Sequence, residues 1–210
     1  MEKYELEKKL YNAIKRNNLA QVKELAKQVA ESGDINANVG RYGETCLIEA
    51  AACGNTEIME VLIDIGADLN AKDTRYGETA IVKAGMKKHM DALQLLVKRG
   101  VNVNIRDFYG NTPIILIAPF HNNYDEISFL RENGADLNAK NNNGETAVMQ
   151  TAFRDCEINY DYLVRNGADL FLKDDHGNDA EDWARIGKNY NLVSTIQRHK
   201  DQFIDSKQKI

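Results

Sequence analysis

Several signatures of chemistry are missing from this chain. It has no H-x-x-x-H or H-E-x-x-H pair, and its four histidines, His89, His121, His176 and His199, are scattered without metal-ligand spacing. A G-x-S-x-G elbow, a G-x-x-x-x-G-K phosphate loop and a G-x-G-x-x-G fingerprint are also absent. Cysteine is sparse: Cys46, Cys53 and Cys156 are odd in number and form no C-x-x-C, which excludes a disulfide framework and a zinc ribbon. A nucleophilic Cys53 would need a base, and the sequence supplies no partner for it. No catalytic residue, metal ligand or cofactor is therefore expected. No run of about 18 apolar residues occurs to span a bilayer, and MEKYELEKKL lacks the apolar core of a secretory signal, so a cytoplasmic protein without membrane insertion is expected. Positive charge is in deficit too. A net charge of -5 argues against nucleic acid as the main ligand, because phosphate binding draws on clustered Lys and Arg.

What the chain does have is apolar content and a period. With 43% hydrophobic residues over 210 positions it can bury a substantial core. The pentapeptide RYGET occurs at 41–45 and again at 75–79, and its glycine continues as Gly110, Gly144 and Gly177, at intervals of 34, 33, 34 and 33 residues. A second ladder keeps the same register: GDINAN from Gly33, GADLNAK from Gly66, GVNVNIRD from Gly100, GADLNAK from Gly134 and GADLFLKD from Gly167.

Each unit reads as a turn followed by two short helices. The turn glycine suits a positive φ, and Thr45, Thr79, Thr112 or Thr146 two residues later suits a helix N-cap. Pro113 fits the first helical position after Thr112. In TCLIEAAACGNTEIMEVLIDIGAD, Ala50 and Ala51 allow close packing, Gly54 and Asn55 break the chain, and Ile58, Met59 and Leu62 recur at helical spacing. Gly66 then closes the second helix.

This helix pair with a projecting turn, a T-P-L-H-like start and a closing G-A-D resembles the ankyrin repeat. The resemblance implies an all-α solenoid of about six units forming a single domain over 1–199: an N-terminal cap at 1–40, internal repeats at 41–74, 75–107, 108–141 and 142–174, and a C-terminal cap at 175–199 with Asp179 at the capping position. A polar tail at 200–210 is expected to fray. Ile48, Val82, Ile115 and Met149 stand where the family has a histidine, so apolar packing must replace that side chain's hydrogen bond. The third repeat carries one extra residue and Pro119, which should end its first helix early and leave Phe120, His121 and Tyr124 in a longer loop. The carboxylates Asp174, Asp175, Glu181 and Asp182 read as solvated turns and helix starts.

The resemblance also places the residues before each turn glycine at exposed finger tips: Arg41 and Tyr42, Arg75 and Tyr76, Phe108 and Tyr109. A row of Tyr42, Tyr76 and Tyr109 would extend roughly 20 Å at a helix-pair spacing of about 10 Å. Tyr and Arg are the side chains enriched at binding hot spots. Glu44, Glu78 and Glu145 should give this surface alternating charge, favouring a protein over a polyanion. First-helix positions Met86, Lys87, Phe120, His121, Phe153 and Arg154 complete the expected protein-binding set. The implied function is a non-catalytic interaction module, monomeric in isolation, that binds a partner on its concave face and blocks or sequesters it. Stand-alone bacterial ankyrin proteins, some of them immunity proteins or inhibitors, are what it resembles. The alternative is a regulatory subunit or effector associated with an enzyme, or an unrecognised enzymatic site.

Overall fold

The computed structural model describes residues 4–120 and 123–208. Among them lie twelve α-helices and no strand. The chain falls into two compact units, Met1–Phe108 and Tyr109–Ile210, each made of three helix pairs.

In the first unit α1 (Glu5–Lys15) pairs with α2 (Leu19–Ser32), α3 (Cys46–Cys53) with α4 (Thr56–Asp64), and α5 (Ala80–Met86) with α6 (Met90–Lys98). The first helices α1, α3 and α5 pack in one row, and α2, α4 and α6 in another. Ala50 and Ala51 are completely buried, so neighbouring backbones approach closely, while Ile58, Met59 and Leu62 fill the space between helices. Each large apolar side chain buried in this way contributes about 1.5–3 kcal/mol. The second unit repeats the plan with α7 (Pro113–Ile117), α8 (Tyr124–Glu132), α9 (Ala147–Phe153), α10 (Glu157–Arg165), α11 (Ala180–Ile186) and α12 (Tyr190–Gln208); α9 packs against both α7 and α11.

The turn glycine Gly77 has φ +77°, and an added Cβ would meet the backbone nitrogen of Phe108 at 2.8 Å, so both conformation and space require glycine. Thr45 caps α3 by accepting the Ile48 N–H at 3.3 Å. Thr79, Thr112 and Thr146 occupy the same position, but the Thr79 and Thr112 hydroxyls are buried without a hydrogen-bond partner. The residues replacing the family's histidine, Ile48, Val82, Ile115 and Met149, are all core residues, and only the Met149 Sδ offers an acceptor, to the Thr146 N–H at 3.4 Å.

Neighbouring pairs are tied by polar side chains reaching the carbonyls that end a preceding helix. His89 Nε2 meets the Ala52 carbonyl at 3.1 Å, and Asn189 Nδ2 donates to Ala152 and Phe153 at 2.7 and 2.9 Å. Around Pro119, α7 stops after five residues, as its sequence predicts. Asn159 Nδ2 takes the freed carbonyls of Ala118 and Phe120 at 2.8 and 2.7 Å.

Two expectations are corrected. Tyr124 is the first residue of α8 rather than a loop residue, because its ring meets Tyr162 edge-on at 4.9 Å and starts the helix. Nor does the polar tail fray at residue 200: α12 continues to Gln208. Lys200 is buried against Asp179 and Glu181 at 2.8 and 3.1 Å, and the Phe203 ring lies 5.5 Å from Phe171, so one anchored face holds an otherwise polar helix.

Candidate functional site

The fingers of the first unit are built from inside. Asp73 is 1% exposed, and its Oδ1 accepts the N–H groups of Arg75, Tyr76 and Gly77 at 3.1, 2.7 and 2.9 Å. The chain then returns so that the Asp73 N–H donates to the Glu78 carbonyl at 2.9 Å. A carboxylate at the base of the turn thereby presents the next two side chains outward. Fingers are also bonded to one another: the Thr74 hydroxyl donates to the Tyr42 carbonyl at 3.2 Å, and the Phe108 N–H to that of Tyr76 at 3.0 Å.

At the tips, arginine and tyrosine interleave. The Arg75 guanidinium carbon lies 4.5 Å from the Tyr42 ring centre and 4.8 Å from that of Tyr76, and the Arg41 guanidinium carbon is 5.4 Å from Tyr42. Each contact is within cation–π range. Lys72 Nζ lies 5.9 Å from the Phe108 ring. Tyr42, Tyr76 and Phe108 remain exposed at 40, 38 and 54%. The repeated arginine and tyrosine of RYGET thus have one structural result: Arg75 of one finger is shared by the tyrosines of two.

The glutamates do not face outward as expected. Glu44 Oε2 folds back onto the Tyr42 N–H at 2.9 Å, Glu78 pairs with Lys83, and Glu145 accepts from Asn141 and Gln150 at 2.8 and 2.9 Å. These half-buried carboxylates satisfy donors at the finger bases, while Arg41 and Arg75 are exposed at the tips.

The remaining candidates are dispersed. Met86 is half-buried at the end of α5 and Lys87 is exposed beside it. Tyr109, in the second unit, is exposed, and its carbonyl accepts the Asn142 N–H at 2.9 Å. Phe120 is exposed after α7, whereas His121 lies outside the described residues. Phe153 is half-buried, edge-on to Trp183 at 5.7 Å, and Arg154 is exposed at the end of α9.

Asp73 and Lys72 went unnoticed in the sequence. The signal for Asp73 is an Asp or Asn three or four residues before the turn glycine, at 73, 107, 141 and 174. Asp174 shows the same use: it is 6% exposed, accepts His176 and Asn178 N–H groups at 2.9 and 2.8 Å, and takes the Trp183 indole N–H at 2.9 Å. The reading of Asp174 as a solvated turn is corrected on that ground. Burial pulls its carboxyl upward, but the bonds from Asn178, Trp183 and His176 outweigh this and hold it below the ordinary range.

The thiols and the accessible histidine are occupied otherwise. Burial, then the neighbouring Glu7 and Glu49, push the Cys46 thiol up to about 12. Cys53 is exposed, yet burial of its sulfur and the Glu49 carboxylate raise it as well. His199 lines a cleft of about 630 Å³ with Leu170, Phe171 and Phe203 in the second unit, but its ring stacks on Tyr160 and its Nδ1 meets the Tyr160 hydroxyl at 3.3 Å. Among the described residues no group of three or more His, Cys, Asp or Glu could hold a metal ion, and no helix is long and apolar enough to cross a membrane.

Family models match three stretches of the chain: residues 7–73 match ankyrin repeats (3 copies), residues 76–108 an ankyrin repeat, and residues 95–149 ankyrin repeats (many copies). No curated protein matches it.

Proposed function

Because the chain belongs to the ankyrin-repeat family, whose repeats generally serve as protein–protein interaction modules, we propose that it binds a partner protein through the finger tips of its first unit and blocks or sequesters that partner. The observation that carries this reading is the exposed pile of Arg41, Tyr42, Arg75 and Tyr76, with Phe108 beside it. Rings already packed against guanidinium groups have little rotational freedom left to lose on binding. The two tyrosines, at about 2 kcal/mol each, supply roughly half of the 8 kcal/mol of a micromolar complex. The mechanism is steric. An inhibitor or immunity protein acting in the cytoplasm fits it, since occupying a partner's surface requires no chemistry from the binder.

The test is capture from a lysate of the source organism with the wild type and with the double variant Tyr42→Ala/Tyr76→Ala, both checked for helicity by circular dichroism. A single protein held stoichiometrically by the wild type and lost from the folded variant supports the reading. Equal capture by both moves the binding surface away from these fingers.

A further inference from the structure

The finger tips are more than aromatic: they carry unmatched positive charge. Where an arginine of this chain has a carboxylate within reach it takes it, as Arg99 does with Asp64 at 2.8 Å, Arg165 with Asp161 at 3.0 Å and Arg185 with Glu181 at 2.6 Å. Arg41 and Arg75 have none within 4.0 Å among the described residues; their guanidinium groups meet only tyrosine rings. The acidic side chains that RYGET itself supplies are half-buried and bonded elsewhere, Glu44 to the Tyr42 N–H and Glu78 to Lys83, and Asp73 is buried beneath the turn. A guanidinium lying over a ring keeps its N–H edges for a planar acceptor, and its orientation is already fixed. Lys72, beside Phe108 in the same unit, adds a further cation.

We propose that Arg41 and Arg75 receive carboxylates from an acidic, extended segment of the partner, with Lys72 as an outlying charge and the tyrosine rings packing on the intervening chain. This rests on the reading of the first unit as a protein-binding surface. An acidic peptide is favoured over nucleic acid because a phosphate backbone draws on many clustered Lys and Arg, whereas the cations here are few and each lies over an aromatic ring.

The probe is a fluorescein-labelled octaglutamate peptide, titrated with the full chain at low salt and followed by anisotropy, beside octalysine and a thymidine octanucleotide. The expected result is saturable binding of octaglutamate alone. Arg75→Gln and Arg41→Gln should each weaken it about tenfold, the loss of one charge-assisted hydrogen-bonding group. Arg75→Lys should recover only part of the loss, because an ammonium lacks the planar fork. Arg165→Gln, exposed on α10, should change nothing. The proposal is overturned if octaglutamate does not bind, if both Arg→Gln variants bind it as the wild type does, or if the octanucleotide binds more tightly. A partner lost from the tyrosine variant but kept by Arg41→Gln/Arg75→Gln would leave the protein-binding reading standing and remove the acidic-segment inference.

Discussion

Replacing Asp73 by alanine should damage the finger more than any tip substitution. The carboxylate is buried at 1% exposure and is the acceptor for three successive turn N–H groups. Without it the Gly77 N–H, which is buried, is left without an acceptor, while those of Arg75 and Tyr76 can turn to water. Lys83, 4.0 Å from Asp73, keeps Glu78, so no charge is stranded. One buried orphan donor and two exchanged bonds together cost about 2–4 kcal/mol. With a urea slope of about 2 kcal/mol/M, the unfolding midpoint should fall by about 1–2 M. Asp73→Asn is the informative companion, since it keeps an acceptor; Asn141 in its own finger accepts the N–H groups of Asn143 and Glu145, both at 3.0 Å. It should lose less than half as much. Urea unfolding followed by circular dichroism decides the matter, and an alanine variant within about 0.5 kcal/mol of the wild type would refute the account of the finger.

The remaining predictions concern the core, the C-terminal pair and the thiols. Thr45→Val should cost about 1 kcal/mol, whereas Thr79→Val should be neutral or stabilising by up to about 1 kcal/mol, because only Thr45 makes a cap bond and the Thr79 hydroxyl is buried unpaired; paired thermal melts check the contrast. Asn159→Ala removes the donor to two carbonyls around Pro119 and should cost about 2–4 kcal/mol, with faster amide exchange in α7 as its local mark. For Glu181, burial raises the carboxyl but the bonds from Arg185 and Lys200 outweigh it, so its folded value lies below the unfolded one, as for Asp174. Their stabilisation is therefore complete above the ordinary carboxylate value of about 4 and is lost as pH falls through the lower folded values; Glu181→Gln should make the acid limb of a urea-midpoint profile shallower. Burial, partly offset by Arg154 and reinforced by Asp155, pushes the Cys156 thiol up to about 11, so Ellman's reagent at neutral pH should modify Cys53 slowly and reach Cys46 and Cys156 only in urea.

The repeat was legible because its signals are local. A turn glycine at φ +77°, a threonine two residues later and apolar residues three or four apart each act within one helix length, and period then multiplies them. What escaped were bonds between repeats. His89 looked like one of four scattered histidines, yet it holds the Ala52 carbonyl 37 positions away, and Asn159 reaches Ala118 across 41. Polarity also misled where burial decided the outcome. Lys200 and Asp174 read as solvated because charged residues usually are, and in both cases a partner from a neighbouring element changed that. The Arg-Tyr pairs themselves are visible in the sequence, but not that one guanidinium serves two rings, since that contact joins residues 42 and 75.

Stability and recognition in the second finger are consequently separable by position. Asp73 acts beneath the turn and Arg75 above it, linked by one hydrogen bond of 3.1 Å from the Arg75 N–H to the Asp73 carboxylate. Loss of Asp73 should reduce both folding stability and peptide binding, because the turn that aims the guanidinium is no longer fixed. Changing Arg75 removes an exposed side chain without a carboxylate partner, so it should leave the unfolding free energy within about 0.5 kcal/mol while weakening binding. A guanidinium that contributed mainly by packing on Tyr42 and Tyr76 would instead lower stability in Arg75→Gln, since a cation–π contact at an exposed site is worth about 0.5–1 kcal/mol. The two contacts together put an upper bound of about 2 kcal/mol on that loss, and a destabilisation approaching the bound would mark RYGET as a clasp between fingers before it is a reader of charge.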